Sequence, residues 1–120
     1  MSEVKIRVED IDAFAAGSME MARRLDTGGR RKQASVIAFE TVEQMLRALT
    51  PGRWALLRRL RAEGPSSIRG LAGLLARDYR GVHADVMALM AAGLVVRGED
   101  GKVSVPWSRI SAEMVLDAAA

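Results

Sequence analysis

The segment from Ser66 to Pro106 constrains the fold most strongly, because its apolar spacing predicts a short helix followed by a longer one. Ser67 is the expected N-cap of the short helix, and Asp78 is the expected N-cap of the longer helix. The apolar stripe of the short helix consists of Ile68, Leu71, Ala72, Leu74 and Leu75. In the longer helix, the residues expected to face inward are Val82, Val86, Leu89 and Met90.

A two-stranded hairpin is predicted directly after the longer helix. The dipeptide Ala92-Gly93 is expected to end that helix. Strands are predicted for Leu94–Arg97 and Lys102–Val105, with Gly98–Gly101 as the tight turn between them. Two helices joined by a turn and followed by such a hairpin are the elements of a winged helix-turn-helix, in which the hairpin is the wing.

A further helix is predicted upstream, where Pro51 suits the first helical position. Trp54, Leu57 and Leu60 align on one face of this helix. Trp54 is therefore expected in the core, with base stacking as the alternative. The predicted fold is α+β and mainly α: a winged helix-turn-helix with an N-terminal helix and short accessory strands.

The run "SIRGLAGLLARDYRGVHADVMALMAAGLVVRGEDGKVSVP" resembles the winged-helix domain of small prokaryotic MarR-like regulators, and the likeness extends more weakly upstream through "FETVEQMLRALTPGRWALLRRL". The sequence departs from that family's pattern at Ala76, where a turn glycine is common, and at three glycines inside predicted helices. The resemblance implies sequence-specific binding of double-stranded DNA, control of transcription and no enzymatic activity. The residues that match are Asp78, Tyr79, Val82, His83, Asp85, Val86 and Leu89; the three helical glycines are Gly70, Gly73 and Gly81.

The longer helix would be the recognition helix, and the side chains expected to face outward near its start are Tyr79, Arg80, His83, Ala84 and Met87. Arg80 is the best candidate for reading a base, since an arginine can donate two hydrogen bonds to guanine O6 and N7; a phosphate contact is the alternative. Tyr79 and His83, four positions apart, either contact DNA or pack together. Asp85 is expected to form an ion pair with a nearby arginine, and direct reading of cytosine is the alternative.

Basic residues at the rim of this unit are assigned to contacts with the DNA backbone, for which any positive side chain suffices. From Thr50 to Pro106 the sequence has nine basic residues against five acidic ones, whereas residues 1–49 have eight of each. This asymmetry is what a phosphate-binding face needs, and a solvated arginine-rich surface is the alternative. The complete set of predicted DNA-binding residues is Ser67, Arg69, Arg77, Tyr79, Arg80, His83, Ala84, Arg97 and Lys102.

The N-terminal residues 1–49 are predicted to form a strand-helix-strand-helix element, which is a candidate dimerisation region. Period-two alternation predicts strands at Val4–Val8 and Ala34–Glu40. An amphipathic helix is predicted from Ile11 to Leu25, followed by a basic loop at Arg30–Lys32 that is either a solvated connector or a DNA-contacting arm. A short helix capped by Thr41 completes the element.

The winged unit itself is assigned to residues 50–106, and residues 107–120 are predicted to be a C-terminal strand and tail. Alternating apolar residues indicate a strand from Ser108 to Leu116, which is expected to pair with the Val4–Val8 or the Ala34–Glu40 strand. Strands at both ends that the winged unit cannot pair lead us to expect a homodimer.

Enzymatic chemistry has little support in the sequence. The one histidine belongs to no nucleophile motif, cysteine is absent, and no phosphate-binding glycine motif opens a helix. We therefore expect no catalytic residue, metal site or cofactor, and a cytoplasmic protein without a membrane span. The serious alternative to DNA binding is a winged helix used for protein interaction or as an antitoxin-like module, because a fold does not fix a function.

Overall fold

The computed structural model describes residues 2–9 and 35–117, which form an α+β fold with four helices and five strands. The predicted helix at Ile11–Leu25 and the basic loop at Arg30–Lys32 lie outside the described residues. In chain order, the elements are β1 (Glu3–Val8), β2 (Ser35–Phe39), α1 (Val42–Ala48), α2 (Pro51–Glu63), α3 (Ile68–Leu75), α4 (Tyr79–Ala91), β3 (Val96–Arg97), β4 (Val103–Ser104) and β5 (Arg109–Ala112).

The chain divides into two compact units, and the second of them is inserted into the first. One unit combines Met1–Met45 with Ser108–Ala120, and the other is Leu46–Trp107. The boundaries predicted from the sequence, at 49/50 and 106/107, lie within four residues of this division. The C-terminal strand and tail therefore share a unit with the N-terminal residues.

The first unit contains a parallel sheet in the order β2-β1-β5 among the described strands. Val4 and Ile6 of the central strand β1 are fully buried, while Lys5 between them is exposed, which confirms the predicted alternation. The sequence left two possible partners for the C-terminal strand, Val4–Val8 and Ala34–Glu40. The observed partner is β1, with Val4 opposite Ile110.

The C-terminal strand is shorter than the predicted Ser108–Leu116, because its ladder with β1 ends at the pair Ile6 and Ala112. Glu113 makes one more backbone hydrogen bond to the carbonyl of Ile6. The alternating apolar residues beyond it, Met114 and Leu116, are exposed, so their spacing does not mark a buried face.

Helices α3 and α4 begin at the predicted caps. The Ser67 hydroxyl accepts a hydrogen bond from the Gly70 N–H at 3.0 Å, and the Asp78 carboxylate accepts one from the Arg80 N–H at 3.1 Å. Each cap satisfies a backbone donor that the first turn of a helix leaves free. Pro51 occupies the first turn of α2, behind a Thr50 cap. The starting points of α3 and α4 are therefore set by cap side chains that bond to backbone N–H groups two or three residues further along the chain.

The core of this unit is formed by one face of each of its three longer helices and by the hairpin. Val82, Val86 and Leu89 of α4 are buried as predicted, whereas Met90 is half-buried. The expectation for Trp54 is wrong, since it is half-buried and the fully buried residue nearby is Leu56. Two positions along a helix rotate the side chain by about 200°. The buried face of α2 therefore runs through Leu56, Leu57 and Leu60.

The predicted hairpin is present with shorter strands, because the N–H of Leu94 completes the end of α4. That N–H donates to the carbonyl of Leu89 across Gly93, which has a φ of 86°. Val103 of β4 also exchanges backbone hydrogen bonds with Ser66, at 2.8 and 3.0 Å. This bridge, which the sequence did not predict, attaches the hairpin to the start of α3.

Ala76 ends α3 in the left-handed conformation, with φ 51° and ψ 44°. A side chain there costs about 1–2 kcal/mol, so the Ala76→Gly substitution should stabilise the fold by about 0.5–1 kcal/mol after its entropy cost. Urea denaturation of the full chain measures the change. Ala92→Gly is the matched control, because Ala92 ends α4 in the right-handed conformation. Glycine at that position should therefore destabilise the fold. Equal destabilisation by both substitutions would contradict the left-handed assignment.

Candidate nucleic-acid interface

The first two turns of α4 present the predicted contact residues on the surface. Tyr79, Arg80 and Ala84 are exposed, and His83 is half-buried. The opposite face of the same helix holds Val82 and the other buried residues of α4, so the outward face is fixed by packing. This exposed end of α4 is the centre of the candidate interface.

Three predicted residues from two helices form one stack. The Arg69 guanidinium carbon lies 5.0 Å from the centroid of the Tyr79 ring. The rings of Tyr79 and His83 lie 5.8 Å apart at a tilt of 39°. Tyr79 and His83 thus pack together, which is one of the two arrangements that the sequence left open. Arg69 adds a cation–π contact worth about 0.5–1 kcal/mol at an exposed site. The stack holds an arginine of α3 beside the start of α4.

Arg80, Arg97 and Lys102 carry exposed side chains that make no hydrogen bond or ion pair with the residues that the structure describes. Their backbone groups are engaged, for instance the Lys102 N–H with the Asp100 carboxylate at 3.0 Å. Arg80 lies on α4, whereas Arg97 and Lys102 lie on the hairpin. The charges of these three residues are available to an anionic partner.

Asp85 is the acidic residue of α4, and it forms two ion pairs where the sequence predicted one with a nearby arginine. Its Oδ1 accepts a hydrogen bond from Arg53 Nε at 3.0 Å, and its Oδ2 accepts one from Arg77 at 2.8 Å. Burial alone would raise the pKa of this carboxyl, but the hydrogen bonds and positive charges of the two arginines lower the pKa below its usual value. Asp85 therefore stays ionised at neutral pH.

Arg53, Arg77 and Asp85 form a charged cluster, and sequence reasoning missed Arg53 as a member of it. Besides Asp85, Arg53 donates to the backbone carbonyls of Arg47 and Ala48 at 3.2 and 3.1 Å. Arg53 and Asp85 are 32 positions apart, so no local pattern connects them. Arg77, which the sequence assigned to the DNA backbone, pairs with Asp85, whereas Arg69 packs on Tyr79.

The unit Leu46–Trp107 is basic, with ten arginine and lysine residues against five acidic residues. Asp85 neutralises part of the charge of Arg53 and Arg77. The exposed arginines outside that cluster include Arg58 and Arg59 of α2. A surplus of this size gives the unit a positive field that attracts polyanions.

The described parts of the chain, 2–9 and 35–117, contain neither a metal-ligand cluster nor a membrane-spanning helix. Those ranges contain no group of three or more histidine, cysteine or acidic residues placed to hold a metal ion. Within the same ranges, none of the helices has the length and apolar character to cross a membrane.

Comparison with known proteins gives one family. No curated protein sequence matches the chain, and no solved structure matches it. The model of the family HVO_A0114 matches residues 48–112, which is more than half of the 120 residues. The matched region contains α2, α3, α4 and the hairpin, and it ends at the last residue of β5. The chain is a member of the HVO_A0114 family.

Proposed function

We propose that Leu46–Trp107 is a winged helix-turn-helix that binds double-stranded DNA, and that the protein is a sequence-specific regulator of transcription. The observation that carries the proposal is the exposed start of α4. Arg80 is unpaired there among the described residues, beside the stack of Arg69, Tyr79 and His83. The resemblance to MarR-like regulators supports the same function.

In this proposal α4 is the recognition helix. It has 13 residues and is therefore about 20 Å long. Its N-terminal half would enter the major groove, which is about 12 Å wide and admits one helix. Arg80 and Ala84 are one turn apart on the exposed face of α4. The long side chain of Arg80 would reach a base edge, and the short side chain of Ala84 would let the helix approach the DNA closely.

The remaining predicted residues would position the unit on the DNA backbone. Arg69 is held by the Tyr79 ring, which reduces the side-chain entropy cost when its guanidinium binds a phosphate. Arg97 and Lys102 place two charges on the hairpin, where a wing contacts the DNA. Ser67 caps α3 through its hydroxyl, so it would contribute mainly by fixing the start of that helix.

Fluorescence anisotropy of the full chain with a labelled random duplex, at increasing salt, tests the proposal. We expect binding at low salt that weakens linearly in log K against log salt, with a slope of about −0.9 for each phosphate neutralised. Arg69→Ala should make the slope shallower. Arg109→Ala is the matched control, because Arg109 is an exposed arginine of the other unit. A wild-type chain that binds no duplex at low salt would show that the proposal is wrong.

A protein-binding role is the second candidate, and exposed apolar side chains favour it. Leu74 of α3, Met87 of α4 and Val96 of β3 are all exposed in the same unit. A protein partner would bury such residues, and its affinity would depend little on salt concentration. The affinity for duplex DNA depends strongly on salt concentration. The anisotropy titration therefore separates the two functions.

A homodimer remains a prediction, and it accompanies the proposed function. In the described sheet, β2 and β5 lie at the two edges, where backbone donors and acceptors can pair with another chain. A two-fold dimer would bind inverted half-sites about one helical turn apart. Sedimentation velocity at micromolar concentration checks the assembly, and a monomer throughout would contradict it.

A further inference from the structure

We propose that Asp85 is a specificity-determining residue of the proposed DNA site, because it withholds the charge of Arg77 from the phosphates of arbitrary duplex DNA. Asp85 acts through Arg77 and is thus a positioning residue. The inference rests on the proposed function and adds to it a restraint on non-specific binding.

The two arginines bound to Asp85 are held to different degrees. The side chain of Asp85 is 17% exposed, that of Arg53 is 22% exposed and that of Arg77 is 37% exposed. Arg53 also donates to two backbone carbonyls, whereas among the described residues the Arg77 side chain has Asp85 as its one hydrogen-bond partner. Removing the carboxylate charge would therefore release Arg77 and leave Arg53 largely in place.

Arg77 lies beside the first turns of two helices. A Cβ added at Gly81 of α4 would lie 3.4 Å from a terminal nitrogen of Arg77, and one added at Gly52 of α2 would lie 4.0 Å from the other. The N-terminal end of a helix is electropositive, so it disfavours a cation and favours an anion. The Asp85 carboxylate thus holds the guanidinium at a place where the helices alone would repel it.

A phosphate that recruits Arg77 must compete with this carboxylate. The Arg77–Asp85 hydrogen bond is 2.8 Å long, the length of a charge-assisted bond. A random duplex offers the same regular array of phosphates as any other duplex but no selected base sequence, so binding to it depends on the number of available positive charges. Asp85 lowers that number without removing Arg80, the side chain on which base reading depends in the proposed function.

The test compares Asp85→Asn with Glu63→Gln in the full chain, using the random duplex and the salt series. Both substitutions remove one negative charge from the same unit, but Glu63 has no ion pair with a described residue. Asp85→Asn should tighten binding at about 50 mM salt by roughly three- to tenfold and steepen the log–log slope by about one unit. Glu63→Gln should change the slope by much less.

A double-mutant cycle assigns the gain to Arg77. Adding Arg77→Ala to Asp85→Asn should abolish the extra binding and restore the shallower slope. A gain that persists without Arg77 overturns the inference, as does a folded Asp85→Asn protein that binds no more tightly than Glu63→Gln. The melting temperature and circular dichroism of each variant establish that it is folded.

Arg77→Ala alone keeps the inference testable if Asp85→Asn does not fold. Since Asp85 withholds the charge of Arg77 from phosphates, Arg77→Ala should have a small effect on the slope of log K against log salt for the random duplex. We expect less than half of the change in slope caused by Arg69→Ala. Equal changes would overturn the inference. A wild-type chain that binds no duplex would instead refute the proposed function, so the two failures are distinguishable.

Discussion

Replacing Leu89 by alanine should lower the free energy of unfolding by about 2–5 kcal/mol, the largest effect on stability that we expect from a single substitution. Leu89 is 1% exposed on α4, and its truncation leaves a cavity that close-packed neighbours fill only in part. Urea denaturation of the full chain measures the loss. The midpoint should fall with little change in the denaturant slope.

Met87→Ala is the control for this prediction, because Met87 lies two positions away on the same helix and is 43% exposed. An exposed substitution of this kind usually changes stability by less than about 0.5 kcal/mol. Similar losses for both variants would mean that the buried face of α4 has been assigned incorrectly. Arg80 would then not lie on the outward face, and the proposed interface would lose its basis.

Structure that depends on neighbours in sequence was predictable for this protein. The caps Ser67 and Asp78 each bond to an N–H two or three residues away, so residue type and position sufficed. The spacing of Val82, Val86 and Leu89 likewise identified the buried face of α4. Ala76, which stands where a turn glycine is common, does adopt the left-handed conformation.

Structure that depends on distant segments was predictable only in part. Packing within the fold decides that Leu56, which was not part of the predicted apolar face of α2, is buried and that Trp54, which was, is only half-buried. The bridge from Ser66 to Val103 joins segments that no periodicity relates. The sequence indicated that Asp85 needed an arginine, but the identity of both partners required the fold.

The candidate interface shows the same division between local and distant information. The outward positions of Tyr79, Arg80 and Ala84 follow from helical periodicity once the buried face is known. The contact of Arg69 with Tyr79 joins two helices across a turn, so it depends on how α3 and α4 pack. It makes Arg69 a better phosphate-binding candidate than Arg77, although the sequence treated the two alike.

Arg80→Ala and Lys102→Ala should weaken DNA binding in different ways. Both side chains are exposed and unpaired among the described residues, so neither substitution should lower the melting temperature appreciably. The binding site is first obtained by selecting tight duplexes from a random pool with the wild-type chain. Anisotropy titrations then compare the selected duplex with a random one.

If Arg80 reads a guanine, its loss removes a bidentate interaction worth about 1–3 kcal/mol of discrimination, so affinity for the selected duplex falls much more than affinity for the random one. Loss of Lys102 leaves one phosphate without its neutralising charge instead. Affinity for both duplexes should then fall together, and the log–log salt slope should become shallower by about one unit for each phosphate that is no longer neutralised. An unchanged ratio of the two affinities after Arg80→Ala would refute base reading by Arg80, and it would leave phosphate binding as the role of that side chain.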